Sequence, residues 1–373
     1  MIYLDNAATS HPKAPGVPEA VARCLAGGAG SPGRASHPPA REASRIVFEA
    51  REACADLLGL GVPERLIFTR NATEALNLAI LGAVPPGGTV AVTSLEHNAV
   101  MRPVRHLEGA KGVRVRVVPF DGAGRPDAGA LDRVLGERPD LFVMTTASNV
   151  SGALLPVEEV AARCARAGVP LCADASQTAG HLALPAGCAC VAFPGHKGLL
   201  GPGGTGALHL APGFDPPPLL RGGTGSDSES EFQPEALPDR FEAGTPNVPG
   251  LAGLLTAVRY LAAAGPGGEA GFARDLALGL AALPGVTLLG PGPREPRAPV
   301  VSITVADRDL GEVARELDQR EICVRAGLHC APAAHRTLGT LAAGGALRFS
   351  PGRFTTAKEL ESALEAMEAI LCG

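Results

Sequence analysis

The chain has 373 residues, of which 46% are hydrophobic and 19% charged, with a formal net charge of −5. That length accommodates two to three domain-sized units, or one large enzyme subunit with a satellite domain. No dense basic tract is present, so nucleic-acid binding is not supported, and the longest apolar stretch, Leu276 to Leu289, is broken by Gly279 and Pro284-Gly285 and cannot span a bilayer as one helix.

The opening "MIYLDNAATSHPK" carries an early Asp and lacks a basic region followed by an apolar one. The nine cysteines are odd in number and scattered. Together these lead us to expect reduced thiols and a cytoplasmic location. Cys188 and Cys190 have no second pair at zinc-ligand spacing, so no metal is expected.

From Ala40 to Leu58, apolar residues recur at three- and four-residue steps, which predicts a helix ending at Gly59. "RLIFT" (Arg65–Thr69) reads as a short buried strand, followed by a helix that Asn71 caps with Glu74 as a capping-box partner. The pattern repeats. Strands are expected at Thr89–Ser94, Val113–Phe120, Leu141–Ser148, Pro170–Ser176 and Cys188–Pro194. Helices are expected from near His97, over Asp127–Glu137 and over Pro156–Gly168. This alternation implies an α/β fold with a large, mostly parallel sheet and helices on both faces.

Residues Arg221–Gly250 are polar and rich in Gly and Pro, too long for a connector, and read as a functional or interface loop. Helices, a strand at Val300–Val305, a helix near Leu310–Arg320 and a last helix from about Thr356 suggest a smaller C-terminal α/β domain. The expected division is a large domain over 14–250 and a smaller one over 251–373, joined by an N-terminal segment, 1–13.

Only four lysines stand against 29 arginines, yet one of them, Lys197, sits in the glycine-rich run "FPGHKGLLGPGGTG". Taken alone, Gly-His-Lys reads as a surface lysine in a turn. In open α/β sheets, however, ligands bind beyond the carboxyl ends of the strands. The polar residues there are Asn71, Thr73, Glu96, His97, Asn149, Asp174, Gln177, His196 and Lys197. They comprise a helix N-terminus, a ring, a carboxylate and a lone lysine, which are the parts of a pyridoxal 5'-phosphate (PLP) site. Lysine forms an imine and arginine cannot. The flanking glycines are expected to let the cofactor ring approach closely.

"YLDNAATS", "NATEALNLA", "LEHNAV", "ASNVSG", "DASQTAG", "GHKGLLGPGGTG", "RFEAGTPN" and "RAGLHCAP" occur in this order from Tyr3 to about Phe354. The series resembles the class V aminotransferase family, in its cysteine desulfurase and selenocysteine lyase branch. The resemblance implies PLP-dependent fold type I and a homodimer. It makes Lys197 the Schiff-base lysine, Asp174 the partner of the pyridinium nitrogen, and Gln177 the partner of the ring hydroxyl. His97 becomes the stacked imidazole and a proton carrier. Ala72, Thr73 and His196 become phosphate ligands, with Thr245 donated by the neighbouring subunit. Asn149 and Arg348 would hold the substrate carboxylate, a group that a guanidinium pairs with through two parallel bonds.

Cys330 matches the persulfide-forming cysteine of the family. The sequence places it after His329 and near Arg325, and cationic neighbours favour the thiolate. Arg325 itself reads equally as an active-site group or an ion-pair partner. One departure stands out. Two residues before His196 the family usually has Ser or Thr, and here Pro194 offers neither hydroxyl nor N–H. The implied activity is conversion of L-cysteine to alanine, with sulfur left on Cys330 and passed on to an acceptor protein. The alternatives are selenocysteine lyase, another class V activity (an aminotransferase or a cystine C–S lyase), and a catalytically silent scaffold.

Overall fold

The computed structural model describes residues 1–33, 36–227 and 229–372. The first part of the chain runs β1 (Ile2–Tyr3), α1 (Val17–Arg23), α2 (Pro38–Leu58), β2 (Leu66–Thr69), α3 (Ala72–Ala83), β3 (Thr89–Thr93) and α4 (Asn98–Lys111). It continues through β4 (Arg114–Val118), α5 (Ala128–Gly136), β5 (Leu141–Thr145), α6 (Val157–Ala167), β6 (Leu171–Asp174), β7 (Cys190–Pro194) and β8 (Gly206–Leu210). A seven-stranded sheet results, ordered β2-β8-β7-β6-β5-β3-β4. The five strands from β7 to β4 are parallel, while β8 is antiparallel to both β7 and β2.

The strands alternate with period two. Phe142, Met144, Ala173 and Phe193 pack against α2, α5, α6 and α7, whereas Val143, Cys172, Cys190 and Ala192 pack against α3 and α4. Burying each large apolar side chain contributes about 1.5–3 kcal/mol, and the two-sided cover fixes the register of every strand. As a consequence, the carboxyl ends of β3, β5, β6 and β7 converge, and the residues just beyond them face one another.

Caps set where these helices begin. Asn71 Oδ1 accepts from the Glu74 N–H at 2.9 Å, as expected. Glu74 reaches back one residue further than a capping box does, accepting from the Arg70 N–H at 2.6 Å. His97 caps α4 through Nδ1, which accepts from the Ala99 N–H at 3.0 Å. Gly59, at φ 67°, ends α2 in the left-handed conformation foreseen for it.

The second part of the chain runs α7 (Val248–Ala264), α8 (Glu269–Ala281), β9 (Val286–Leu289), β10 (Val301–Val305), α9 (Leu310–Asp318), β11 (Ile322–Cys323), β12 (Arg325–Gly327), α10 (Pro332–Thr337), β13 (Ala346–Phe349) and α11 (Ala357–Cys372). Here β12-β13-β10-β9 form an antiparallel sheet whose core is shared with α8, α9 and α11. The amino-terminal strand β1 pairs in parallel with β11, tying the start of the chain to this part.

Two strands of the large sheet differ from the sequence expectation. Residues 206–210, to which the sequence assigns no strand, form β8. "RLIFT" forms the antiparallel edge strand β2 rather than a further parallel one. Residues 211–247 contain no helix or strand among those described. This segment is anchored by Glu242, whose carboxylate pairs with the buried Arg51 (2.7 and 2.8 Å) and accepts from the Phe68 N–H at 2.6 Å. Breaking such a buried pair costs about 3–5 kcal/mol.

No single helix among the described residues is long and apolar enough to cross a membrane.

Candidate active site

Lys197 follows β7 on a turn closed by the Leu200 N–H, which donates to the Lys197 carbonyl at 2.8 Å. At its neighbouring glycines a side chain would collide with protein atoms. A Cβ on Gly195 would meet Thr205 Oγ1 at 2.2 Å, and one on Gly198 would meet the Ala179 carbonyl at 2.4 Å and the His181 ring at 2.8 Å. Glycine at these two positions lets the chain pack on the Thr205 side chain and on the Ala179 backbone and His181 ring. Burial pushes the Lys197 amine down to about 8, against the opposing pull of Asp174. Arg348, Asp5 and Cys330 also act on it, which places all four charged or nucleophilic groups within electrostatic reach of the lysine.

Asp174 ends β6 and is buried. Its Oδ1 accepts from the Ser176 N–H at 2.9 Å, and among the described residues Oδ2 has no protein donor. One oxygen is thus held and the other is free for a ring nitrogen. Gln177, one helical turn further, is buried and donates Nε2–H to the Ala7 carbonyl at 3.2 Å.

His97 is half-buried, and desolvation lowers its pKa. With Nδ1 accepting, the proton of the neutral ring sits on Nε2. Ala72 and Thr73 open α3, where N–H groups point outward and favour an anion. His196 Nδ1 lies 3.0 Å from Thr9 Oγ1, and burial lowers its pKa to about 4, so the ring is a neutral hydrogen-bonding group.

Arg348 lies on β13 directly opposite Arg325 on β12. Two cations facing each other across a sheet repel, and Asp5 lies between them. Asp5 Oδ1 accepts from Arg348 at 2.8 Å, and Oδ2 accepts from Arg325 at 2.7 Å. Arg325, like Arg348, is an ion-pair partner of Asp5. Arg348 also donates to the Asn149 carbonyl at 3.1 Å, and Asn149 Nδ2–H donates to the His329 carbonyl at 2.8 Å. Asn149 links the buried guanidinium to the cysteine loop.

Cys330 is exposed, unlike Cys54, Cys164, Cys172, Cys188 and Cys190, which are buried. His329 and Cys330 both adopt left-handed φ angles, 50° and 56°, costly for residues with a Cβ. The Asn149 bond and an Asn98 N–H donating to the Cys330 carbonyl at 2.8 Å hold them there. The thiol is presented at a cleft of about 360 Å³ that Thr73, His97 and Arg102 also line. The expected cationic help from His329 is absent: the ring is buried and its pKa is pushed far down by desolvation, so it is neutral.

Thr245 stands apart from this group. It is exposed on the segment before α7 and lines a different cleft with Asn71, Gly204 and Thr205. Pro194 closes β7 opposite Gly206.

The aminotransferase class-V family model matches residues 2–362. The chain belongs to that family. It is 35% identical to a "Probable cysteine desulfurase" of Pseudomonas aeruginosa, covering 100% of this chain and 94% of that protein. It is 33% identical to a "Cysteine desulfurase" of Cereibacter sphaeroides, covering 99% and 95%. The apo cysteine desulfurase structure from Thermococcus onnurineus NA1 superposes with a TM-score of 0.92 at 30% identity, covering 100% of this chain and 95% of that one. The fold is PLP-dependent fold type I, and the chain is a PLP-dependent enzyme of class V.

The sequence reading missed Asp5 and Lys13. Asp5 lies 343 residues from Arg348, and no local spacing announces that pair. Lys13 Nζ donates to the His196 carbonyl at 3.0 Å, and burial pushes its amine down to about 8. Its sequence neighbourhood resembles any N-terminal turn.

Proposed function

We propose that the chain is a cysteine desulfurase that takes L-cysteine to alanine and leaves the sulfur on Cys330. The observation that carries this is the pairing of a desolvated lysine with an exposed cysteine fixed in a strained turn beside His97. Bound PLP supplies an electron sink for charge developing at the substrate Cα and Cβ. The donor set fits it: Asp174 Oδ2 is free for the ring nitrogen, Gln177 keeps one Nε2–H beyond the bond to Ala7 for the ring hydroxyl, and the His97 face is available to the ring. The α3 amides, Thr73 and His196 suit the phosphate.

Lys197 Nζ holds the cofactor and, once released, moves the substrate Cα proton. Arg348 and Asn149 orient the substrate carboxylate. The Cys330 thiolate attacks the substrate sulfur; a Sγ–S bond forms, the Cβ–S bond breaks, and its electron pair stays on Cβ, which takes up a proton. The product persulfide awaits an acceptor thiol. Incubating the purified protein with L-cysteine and with L-selenocysteine, then measuring alanine with sulfide or selenide, tests this reading. Alanine from cysteine supports it; alanine from selenocysteine alone favours the lyase.

Pro194 leaves the phosphate one ligand short. Pro194→Ser is expected to bind PLP more tightly, by about 1.5–3 kcal/mol or roughly ten- to a hundredfold in Kd, if its hydroxyl takes up the missing bond. Titration of the stripped protein with PLP reads this directly, and weaker binding by a folded variant contradicts it.

Thr245, which is exposed and lines a different cleft from Cys330 and His97, is assigned to the neighbouring subunit's phosphate in a homodimer. A mixed dimer of Lys197→Ala and Thr245→Ala chains then has one site with both defects and one intact. Activity near half of wild type is expected. Activity no higher than half that of the Thr245→Ala homodimer means that Thr245 serves its own chain.

A further inference from the structure

Glu96 is fully buried in the loop between β3 and α4, one residue before His97. Its Oε1 accepts from Thr93 Oγ1 at 2.5 Å and from the Thr145 N–H at 3.0 Å. Thr93 Oγ1 in turn accepts from the Leu95 N–H at 3.2 Å, so the hydroxyl proton is committed to Glu96. Oε1 is therefore a pure acceptor. Oε2 is buried with no hydrogen-bond partner, and no cation lies within ion-pair distance, among the described residues. Thr145 pairs with Asp174 across β5 and β6, which seats the Glu96 carboxyl beside the strand that carries Asp174.

A buried carboxylate with one bare oxygen and no cation is far costlier than a buried acid with one unpaired hydroxyl. Two adjacent carboxyls also do not both ionise readily. We propose that Glu96 is a positioning residue held as a neutral acid, which anchors the His97 loop to β5 and leaves Asp174 as the anion that faces the cofactor ring. The second half of this rests on the PLP reading above. Burial pushes the Glu96 carboxyl up to about 8, and Asp174 acts in the same direction. The titratable groups facing it are Asp174 and Cys172 on β6 and His97 on its own loop. The Cys172 thiol is pushed well up and the His97 ring down, so both are uncharged at neutral pH.

Glu96→Gln keeps the acceptor and removes the titration, while Glu96→Ala removes both. Denaturant unfolding of the purified proteins across pH separates the possibilities. A carboxyl raised in the folded state ionises first in the unfolded chain, near pH 4.3. Wild type therefore loses stability relative to Glu96→Gln as pH rises from that value to about 8, and the gap then levels off. We expect the ratio of the two folding constants to change by at least about tenfold between pH 5.5 and 8. We also expect the visible PLP band of Glu96→Gln to titrate as in wild type below pH 7.5, and Glu96→Ala to be less stable than Glu96→Gln at every pH. A stability gap independent of pH overturns the proposal. So does failure of Glu96→Gln to fold at pH 7, or a displaced titration of its PLP band. Absence of a PLP band from all three proteins counts against the cofactor reading alone, because the unfolding measurement reports on Glu96 without it.

Discussion

Lys197→Arg loses turnover by on the order of 10³-fold or more, the scale of a lost general base, while the protein still folds. The guanidinium keeps the charge but forms no imine and gives up no proton near neutral pH. Lys197→Ala behaves alike, which separates the loss of chemistry from crowding by the larger side chain. Borohydride treatment of the PLP-loaded wild-type protein is expected to reduce PLP onto the Lys197 peptide. Lys13 makes this a stringent test, since burial lowers its amine to about 8 as well and it lies against the His196 carbonyl. Label on Lys13, Lys111 or Lys358 contradicts the assignment.

The same lysine predicts a pH dependence. Only the neutral amine captures PLP, and burial brings the Lys197 amine down to about 8. Capture by the stripped protein is expected to accelerate about tenfold per pH unit up to about 8 and then level off. A lysine at its ordinary value would keep accelerating to about pH 10.4. Stopped-flow absorbance distinguishes the two curves.

Cys330→Ala is expected to retain PLP and still bind cysteine, while alanine formation falls on the order of 10³-fold or more, because the group proposed to accept the sulfur is gone. The buried cysteines are poor substitutes. Burial pushes the Cys54, Cys164 and Cys188 thiols up to about 12, where the thiolate is scarce at neutral pH. Selenium leaves carbon more readily than sulfur, so selenocysteine turnover is expected to depend less on this thiol. Alanine formation from cysteine at the parent rate contradicts the persulfide route.

The parallel part of the large sheet was legible because its strands are short and mostly apolar, and β3, β4 and β5 are each followed by an amphipathic helix. Asn71, His97 and Gly59 mark the ends through backbone chemistry that local sequence encodes. Strand β8 was not legible: five residues between a glycine run and a proline-rich segment carry little periodicity, and its pairing with β2 and β7 is a long-range outcome. The site divides in the same way. Lys197, Asp174 and Cys330 stood out by residue type and motif order. The bond from Asp5 to Arg348 and the orphaned Oε2 of Glu96 exist only after folding brings distant segments together. The glycines beside Lys197 were visible, but their packing against Thr205, Ala179 and His181 was not, because close packing against protein and an open ligand space leave the same mark in sequence.

The most direct measurement of the central claim is a single turnover with L-cysteine, in which alanine is quantified and the protein is then mapped by mass spectrometry. One alanine released per active site, with one sulfur added to Cys330 and none on the other eight cysteines, is the result expected. Alanine without sulfur on Cys330, sulfur on a different cysteine, or no alanine at all would contradict the assignment of this chain as a persulfide-forming desulfurase.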